Sequence, residues 1–469
     1  MSHLILIFIS FQEIDYFTNK FNRFICMNPY KCCFSRWYCH LLILFIWGTL
    51  SGCQTSADDR TVPLTAAGKP EEGTFETFKG EPFFELKEVF NGGGQVREPY
   101  LGIAVDGTIL VLRNRANPPQ AGSGHLRRSE DGGNSWGGII EVPFGFLDTN
   151  FIPDEATGDL LVVRMWDQTD KLWRSSDHGR TWVEESITLK PSGMMQWLEQ
   201  AKLKRRGTWD DRDKRGIYMM HANAGESGIT LRHGPHRGRL IVSATFRPHA
   251  PEHPSDRQPE DLIYSCAIYS DDGGATWQVS GLFPEGATEE AALAELHDGR
   301  IYYNSRSCQG FYDPSLAREI GPEESLRREA WSFDGGVTWD NLRISSVLPD
   351  GGGYGRGYGM KGGLVRLPVK DHDILIYSNS DTAGGKREKM TVWASFDGGD
   401  TWPVKRLVYE GPSAYSSLGA GRPGTPGEGL IFLLFEGGPE HHYSSMQVAR
   451  FNLSWILEGE PTGDGELWN

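Results

Sequence analysis

The sequence predicts an all-β chain folded as a six-bladed β-propeller with Asp-box hairpins. Three observations carry that expectation. The composition favours short strands and tight turns: 58 of the 469 residues are Gly and 26 are Pro, and 15 Trp and 16 Tyr accompany few helix formers. The pattern Ser-x-Asp-x-Gly-x-x-Trp occurs five times, starting at Ser129, Ser175, Ser270, Ser332 and Ser395. The intervals between its Trp residues are 46, 95, 62 and 63. At about 62 residues per repeat, a body of roughly 380 residues holds about six four-stranded blades. The interval of 95 then reads as two blades with one box lost.

The repeat has a physical logic. Asp131, Asp177, Asp272, Asp334 and Asp397 can each accept hydrogen bonds from the N–H groups of a turn. The Gly two residues later supplies a positive φ, and the Trp packs on the blade. These turns are read as structural and are assigned no chemistry. Apolar runs between them read as strands, among them Thr108–Leu112, Leu160–Val163 and Leu430–Phe435.

The N-terminal region reads differently. Residues 1–26 are an upstream extension ahead of a start at Met27. Residues 27–52 form a lipoprotein signal peptide, 53–79 a polar tether and 80–469 the propeller. Leu41–Leu50 is an apolar run that suits a signal sequence and is too short to span a bilayer. Lys31 and Arg36 precede it, and Leu50-Ser51-Gly52-Cys53 follows, which resembles a bacterial lipobox. That resemblance implies lipidation of Cys53, a membrane anchor, and export to the periplasm, outer membrane or cell surface.

Composition excludes other classes. A net charge of −15 argues against a nucleic-acid partner, whose phosphates need a basic face. A P-loop, an HExxH helix and paired Cys-x-x-Cys motifs are missing from the sequence, and no cofactor or metal is expected. Four of the seven Cys precede Cys53, leaving Cys266 and Cys308. A disulfide between them and two buried free thiols are both open.

Several segments resemble the exo-α-sialidase (neuraminidase) family. Val96-Arg97-Glu98-Pro99 resembles the family's Phe/Tyr-Arg-Ile-Pro motif. Glu290 to Glu295, followed by Asn304-Ser305-Arg306, resembles its Glu-then-Arg segment. Arg387 stands eight residues before the last box, and Ala414-Tyr415-Ser416 resembles the Tyr-Ser motif. The resemblance covers about residues 80–460. It implies a six-bladed propeller that removes terminal sialic acid from glycoconjugates with retention. Arg97, Arg306 and Arg387 would clamp the substrate carboxylate, Tyr415 would be the nucleophile and Glu290 its base. A neutral Tyr suits an anionic substrate, since a carboxylate nucleophile would be repelled by it, and charge-assisted forks suit the carboxylate. Glu289 competes with Glu290 through a one-residue shift.

One departure is plain. The family's acid/base is an Asp in the loop before the first box, and Arg113–Arg128 holds no Asp or Glu. Asn114, Asn117 and His125 are its polar or titrating candidates, with His125 the one able to donate a proton near neutral pH. Two alternatives follow: a glycosidase acting on a related acidic sugar, and a non-catalytic sialic-acid-binding propeller.

Overall fold

Runs of β-branched and aromatic residues, closed off by Gly and Asp, become strands that pair antiparallel with their neighbours in sequence. The computed structural model describes residues 72–91, 96–114, 124–145, 148–166, 169–190, 220–221, 225–246, 263–308, 326–351, 359–382 and 386–467. The chain divides between Pro63 and Leu64, and every described residue belongs to the second part. The signal peptide, the upstream extension and Cys53 lie outside the described residues.

The strands form a β-propeller. The first sheet contains Tyr100–Ile103, Ile109–Asn114, Gly124–Ser129 and Ile140–Val142 in order. The second contains Ile152–Pro153, Leu160–Trp166, Thr169–Ser175 and Val183–Ser186. In the third, Met220–His221 and Ile229–Thr230 both pair with Leu240–Phe246, followed by Tyr264–Ser270 and Thr276–Val279, with Thr188–Lys190 added in parallel at the edge. The fourth contains Thr288–Glu295, Ile301–Ser307, Leu326–Ser332 and Asp340–Pro349. A last, eight-stranded sheet runs from Gly363–Arg366 through Leu375–Ser380, Glu388–Ser395, Val404–Ala420, Ile431–Gly437 and Ser445–Phe451 to the N-terminal Phe84–Asn91, with Glu460–Pro461 paired to Val404–Ala420 beside this path. Within it, Val404–Ala420 pairs with Glu388–Ser395 as far as Pro412 and with Ile431–Gly437 from Ser413 onward.

The innermost strands touch in sequence order and close a ring, since Val404–Ala420 lies against Tyr100–Ile103. Apolar residues fill the spaces between adjacent sheets. Leu110, Leu112 and Leu126 meet Leu160, Val162 and Trp173, and Ile152, Leu161 and Val163 meet Leu240, Val242 and Ile268. Each such buried side chain contributes about 1.5–3 kcal/mol against exposure.

All five boxes occupy the turn after the third strand of a blade. Each Ser hydroxyl donates to its Asp at 2.8 Å, and a backbone N–H four residues beyond the Asp donates back to it at 2.8–2.9 Å. Among the described residues, no box follows the part of the last sheet formed by Ile431–Gly437 and Ser445–Phe451. Its third strand, Ser445–Phe451, and its outer strand, Phe84–Asn91, come from opposite ends of the chain.

Between the second and third boxes the described residues form one sheet after the second blade, where the interval of 95 suggested two. The remaining length of that interval falls in 191–219 and 247–262, outside the described residues. Residues 72–79, assigned to the tether, pack on the propeller. Gly73 N–H donates to Pro368 O at 2.8 Å, Glu72 pairs with Arg366 at 2.8 Å, and Phe78 is buried in the core. An apolar Phe at the end of a polar stretch was the signal. Cys266 and Cys308 are both free and buried.

Candidate active site

Antiparallel alternation brings three sets of strand ends to one end of the axis: the starts of first strands, the ends of second strands and the starts of third strands. Arg97 precedes the first strand Tyr100–Ile103, and Glu290 lies near the start of Thr288–Glu295. Arg306 lies near the end of Ile301–Ser307, and Arg387 stands just before Glu388–Ser395. Tyr415 is near the start of the segment of Val404–Ala420 that pairs with Ile431–Gly437. The boxes follow the ends of third strands and so lie at the opposite end.

The structure brings these five residues together. The Tyr415 hydroxyl donates to Glu290 Oε1 at 3.0 Å and accepts from Arg306 Nη1 at 2.8 Å. Arg306 Nη1 also pairs with Glu290 Oε2, and its Nη2 pairs with Glu289 at 2.5 Å. The Arg97 and Arg387 guanidinium carbons stand 5.2 and 5.4 Å from the centre of the Tyr415 ring. Arg387 Nη1 donates to the Tyr443 hydroxyl at 2.5 Å, and Arg97 lies over the Tyr443 ring at 4.3 Å. Met360, Ala414, Tyr415 and Tyr443 form a small apolar wall.

A β-bulge sets the two glutamates apart. The register of Thr288–Glu295 against Ile301–Ser307 shifts between Glu289 and Ala292, and Glu290 has a φ of 48°. In a regular strand, adjacent side chains point to opposite faces. The bulge re-aims Glu290, so both acids reach Arg306 while Glu290 alone of the two bonds the Tyr415 hydroxyl. Glu289 instead accepts from Cys308 Sγ at 3.2 Å.

Burial dominates the electrostatics. It pushes Glu290 up to about 7, with Arg306 opposing and Glu289 adding to the rise. It raises the Tyr415 phenol well above its ordinary value despite Arg306. For Arg97, burial opposes the charge, but Glu436 and Glu98 outweigh it and the pKa is raised. The Tyr415 proton therefore has one obvious acceptor, Glu290, and any phenolate has Arg306 beside it.

Sequence reasoning missed several members of the cluster. Glu436 accepts from Arg97 Nε at 3.1 Å, from the Glu98 N–H at 2.8 Å and from the Tyr415 N–H at 3.2 Å. Lys361, fully buried, donates to Pro99 O at 2.6 Å, and burial lowers its pKa. Glu226 accepts from the Ser417 hydroxyl at 2.5 Å, and burial raises it to about 7. Lys361 and Glu226 tie strands from distant parts of the chain together beside the site. No motif marks them. The signal available was an acid or lysine within an apolar strand or at its edge.

Other candidates fall elsewhere. His125 lies on the third strand of its sheet, opposite Arg113 and Glu141, two strands out from the innermost one. Asn114 is buried, and its N–H holds the Arg97 carbonyl at 3.1 Å. Asn117 lies outside the described residues. A separate axial cavity of about 160 Å³ is lined by none of the cluster residues. Its Arg232 and Arg422 are both paired with Glu155, which leaves the convergent chemistry at the Tyr415 end.

No family model matches the chain. The chain is similar to curated sialidases. It is 28% identical to a sialidase of Micromonospora viridifaciens over 416 residues, covering 80% of this chain and 55% of that protein. It is 26% identical to sialidase-4 of Mus musculus over 271 residues, covering 43% of this chain and 56% of that one. The chain thus spans just over half the length of these relatives. Among solved structures, the Hadza microbial sialidase Hz136 superposes with a TM-score of 0.55 at 21% identity, covering 77% of this chain and 66% of that one. The Ruminococcus gnavus intramolecular trans-sialidase does so with 0.51 at 15%, covering 78% and 97%. These superpositions agree with the β-propeller architecture.

Proposed function

We propose that the chain is a retaining exo-α-sialidase that releases terminal sialic acid from glycoconjugates. Its propeller has six blades, counting the eight-stranded sheet as two that share the strand Val404–Ala420. Arg97, Arg306 and Arg387 take the substrate carboxylate. Tyr415 attacks the anomeric carbon as Glu290 accepts the phenolic proton, and Arg306 stabilises the developing phenolate. The observation that carries this reading is the Tyr415–Glu290 hydrogen bond at 3.0 Å, with Arg306 on the same hydroxyl. A buried phenol with a raised pKa beside a carboxylate and a guanidinium serves little structural purpose, whereas a neutral nucleophile suits an anionic sugar. The protein reaches its glycans as an exported lipoprotein anchored through Cys53.

A second reading, a sialic-acid-binding propeller without turnover, is favoured by one observation: Arg113–Arg128 contains no acid. A glycosidase acting on a related acidic sugar is a third. A fluorinated sialoside separates them. The expected result is a covalent glycosyl adduct on Tyr415, seen by mass spectrometry of the digested protein. Tyr415→Phe should give no adduct and lose about 10³-fold or more in kcat. Binding of sialic acid by the wild type with no adduct would favour the binding reading. Turnover of another acidic sugar in preference to sialosides would favour the third, and an adduct on another residue would remove Tyr415 from its role.

A further inference from the structure

We propose that Glu98 supplies the acid/base carboxyl of this site; the inference rests on the sialidase reading above. Glu98 stands where the resembling motif has an apolar Ile, and it is only 3% exposed. Its φ is 60°, a conformation that a non-glycine residue adopts only when its surroundings impose it. Those surroundings are visible. The Glu98 N–H is held by Glu436, and the carbonyl of the following Pro99 is held by Lys361. The backbone is thus fixed in an unfavourable region, with a charged side chain turned inward.

The side chain is half occupied. Oε1 accepts from Arg97 Nη2 at 3.0 Å, whereas Oε2 is buried with no hydrogen-bond partner. The neighbouring acids are committed. Both oxygens of Glu290 are bonded, to Tyr415 and Arg306, and both oxygens of Glu436 are bonded, to Arg97, the Glu98 N–H and the Tyr415 N–H. Leaving a buried carboxylate oxygen unsatisfied is costly in a finished structure, so such an atom marks a place where a ligand's hydrogen bond is expected. The charge of Glu98 also bears on Tyr415 and Glu290, which puts it in the same pocket.

The chemistry follows from Arg97. The substrate carboxylate and the scissile oxygen are on the same anomeric carbon, so a group gripped by the guanidinium that binds the first is beside the second. The arriving carboxylate and Glu98 then share the Arg97 fork. In the first step the Tyr415 oxygen bonds to the anomeric carbon as its proton passes to Glu290. The carbon–oxygen bond to the leaving group breaks, and that oxygen takes the proton from Glu98. In the second step Glu98 takes a proton from water, whose oxygen bonds to the same carbon. The Tyr415 oxygen leaves and recovers its proton from Glu290, and both carboxyls return to their starting state.

The test compares leaving groups in Glu98→Gln, which keeps the size and the Arg97 contact. On a sialyl-galactoside, whose alkoxide leaves poorly, kcat/KM should fall by about 10²–10⁴-fold. On 4-nitrophenyl sialoside, whose phenolate needs no proton, the fall in kcat/KM should be at least tenfold smaller. Azide should then accelerate turnover in the variant and yield sialyl azide. Glu98→Ala should show the same azide rescue, and thermal melting of both variants identifies which is folded for the comparison. Equal losses on both substrates without rescue would make Glu98 a positioning residue for Arg97 and overturn the assignment, as would unchanged activity. Absence of wild-type turnover on both substrates would overturn the sialidase reading with it, whereas wild-type turnover with either of the first two outcomes would overturn Glu98 alone.

Discussion

Asp177, in the second box turn, and Glu290, at the axis, are both carboxylates that accept a hydroxyl proton, at 2.6 and 3.0 Å. Their own affinities for a proton move in opposite directions. At Asp177 the cost of burial is outweighed by the sum of bonds from the hydroxyl and N–H of Thr181, from Ser175 and from the Arg180 N–H, and the pKa falls to about 2. At Glu290 burial prevails over Arg306, and the pKa rises to about 7. The difference is one of surroundings. A turn at the wet end offers donors from its own few residues and little desolvation. The axis removes water and crowds Glu289, Glu98 and Glu436 around the same guanidiniums. The propeller thus keeps the Asp177 carboxylate ionised at all ordinary pH and holds Glu290 poised near neutrality.

That contrast can be broken most severely at Glu290. Glu290→Gln should lower kcat by about 10³-fold or more, because the Tyr415 proton loses its acceptor. In the wild type, kcat/KM should climb as pH rises toward and through about 7, as Glu290 becomes ionised. The stability linkage has the opposite sign. A carboxyl whose pKa rises on folding binds its proton more tightly in the folded state, so its contribution is fully present below about 4.5 and is lost as pH rises through about 7. A pH–rate profile with no acidic limb would separate Glu290 from the base role.

A smaller effect is expected at Arg387. Replacement by Lys keeps the charge but loses the planar fork, so equilibrium binding of sialic acid should weaken by about 10–100-fold, read by calorimetry. Unchanged affinity would remove Arg387 from the clamp, whatever its distance from Tyr415.

The smallest expected change belongs to the box turns. Asp334 accepts from the N–H groups of Val337 and Thr338 and from the Thr338 and Ser332 hydroxyls at 2.7–3.0 Å. Asp334→Ala should lower stability by about 1–2 kcal/mol in denaturant unfolding, with sialic-acid affinity unchanged. A selective loss of affinity at full stability would contradict the structural role of the boxes.

Box turns were legible in the sequence because their hydrogen bonds close within four residues: Ser, Asp, Gly and Thr meet by local geometry wherever the motif occurs. Strand runs such as Ile109–Asn114 were legible for the same reason, since a short apolar run is a local property. The residues that should meet at the axis were named by resemblance, but their contacts were not local. Arg306 and Tyr415 are 109 residues apart and Arg97 and Glu436 are 339 apart, distances over which no spacing rule operates. Only the folded chain put Glu290, and not Glu289, on the Tyr415 hydroxyl, because a bulge overrides strand alternation. Only the folded chain paired the N-terminal Phe84–Asn91 with Ser445–Phe451, from opposite ends of the sequence. Burial also turned Glu98, an unremarked substitution in a motif, into a carboxylate with an open oxygen. Sequence fixes what a few neighbouring residues can satisfy among themselves. Tertiary structure decides which distant charges share one water-poor space, and there desolvation sets their chemistry.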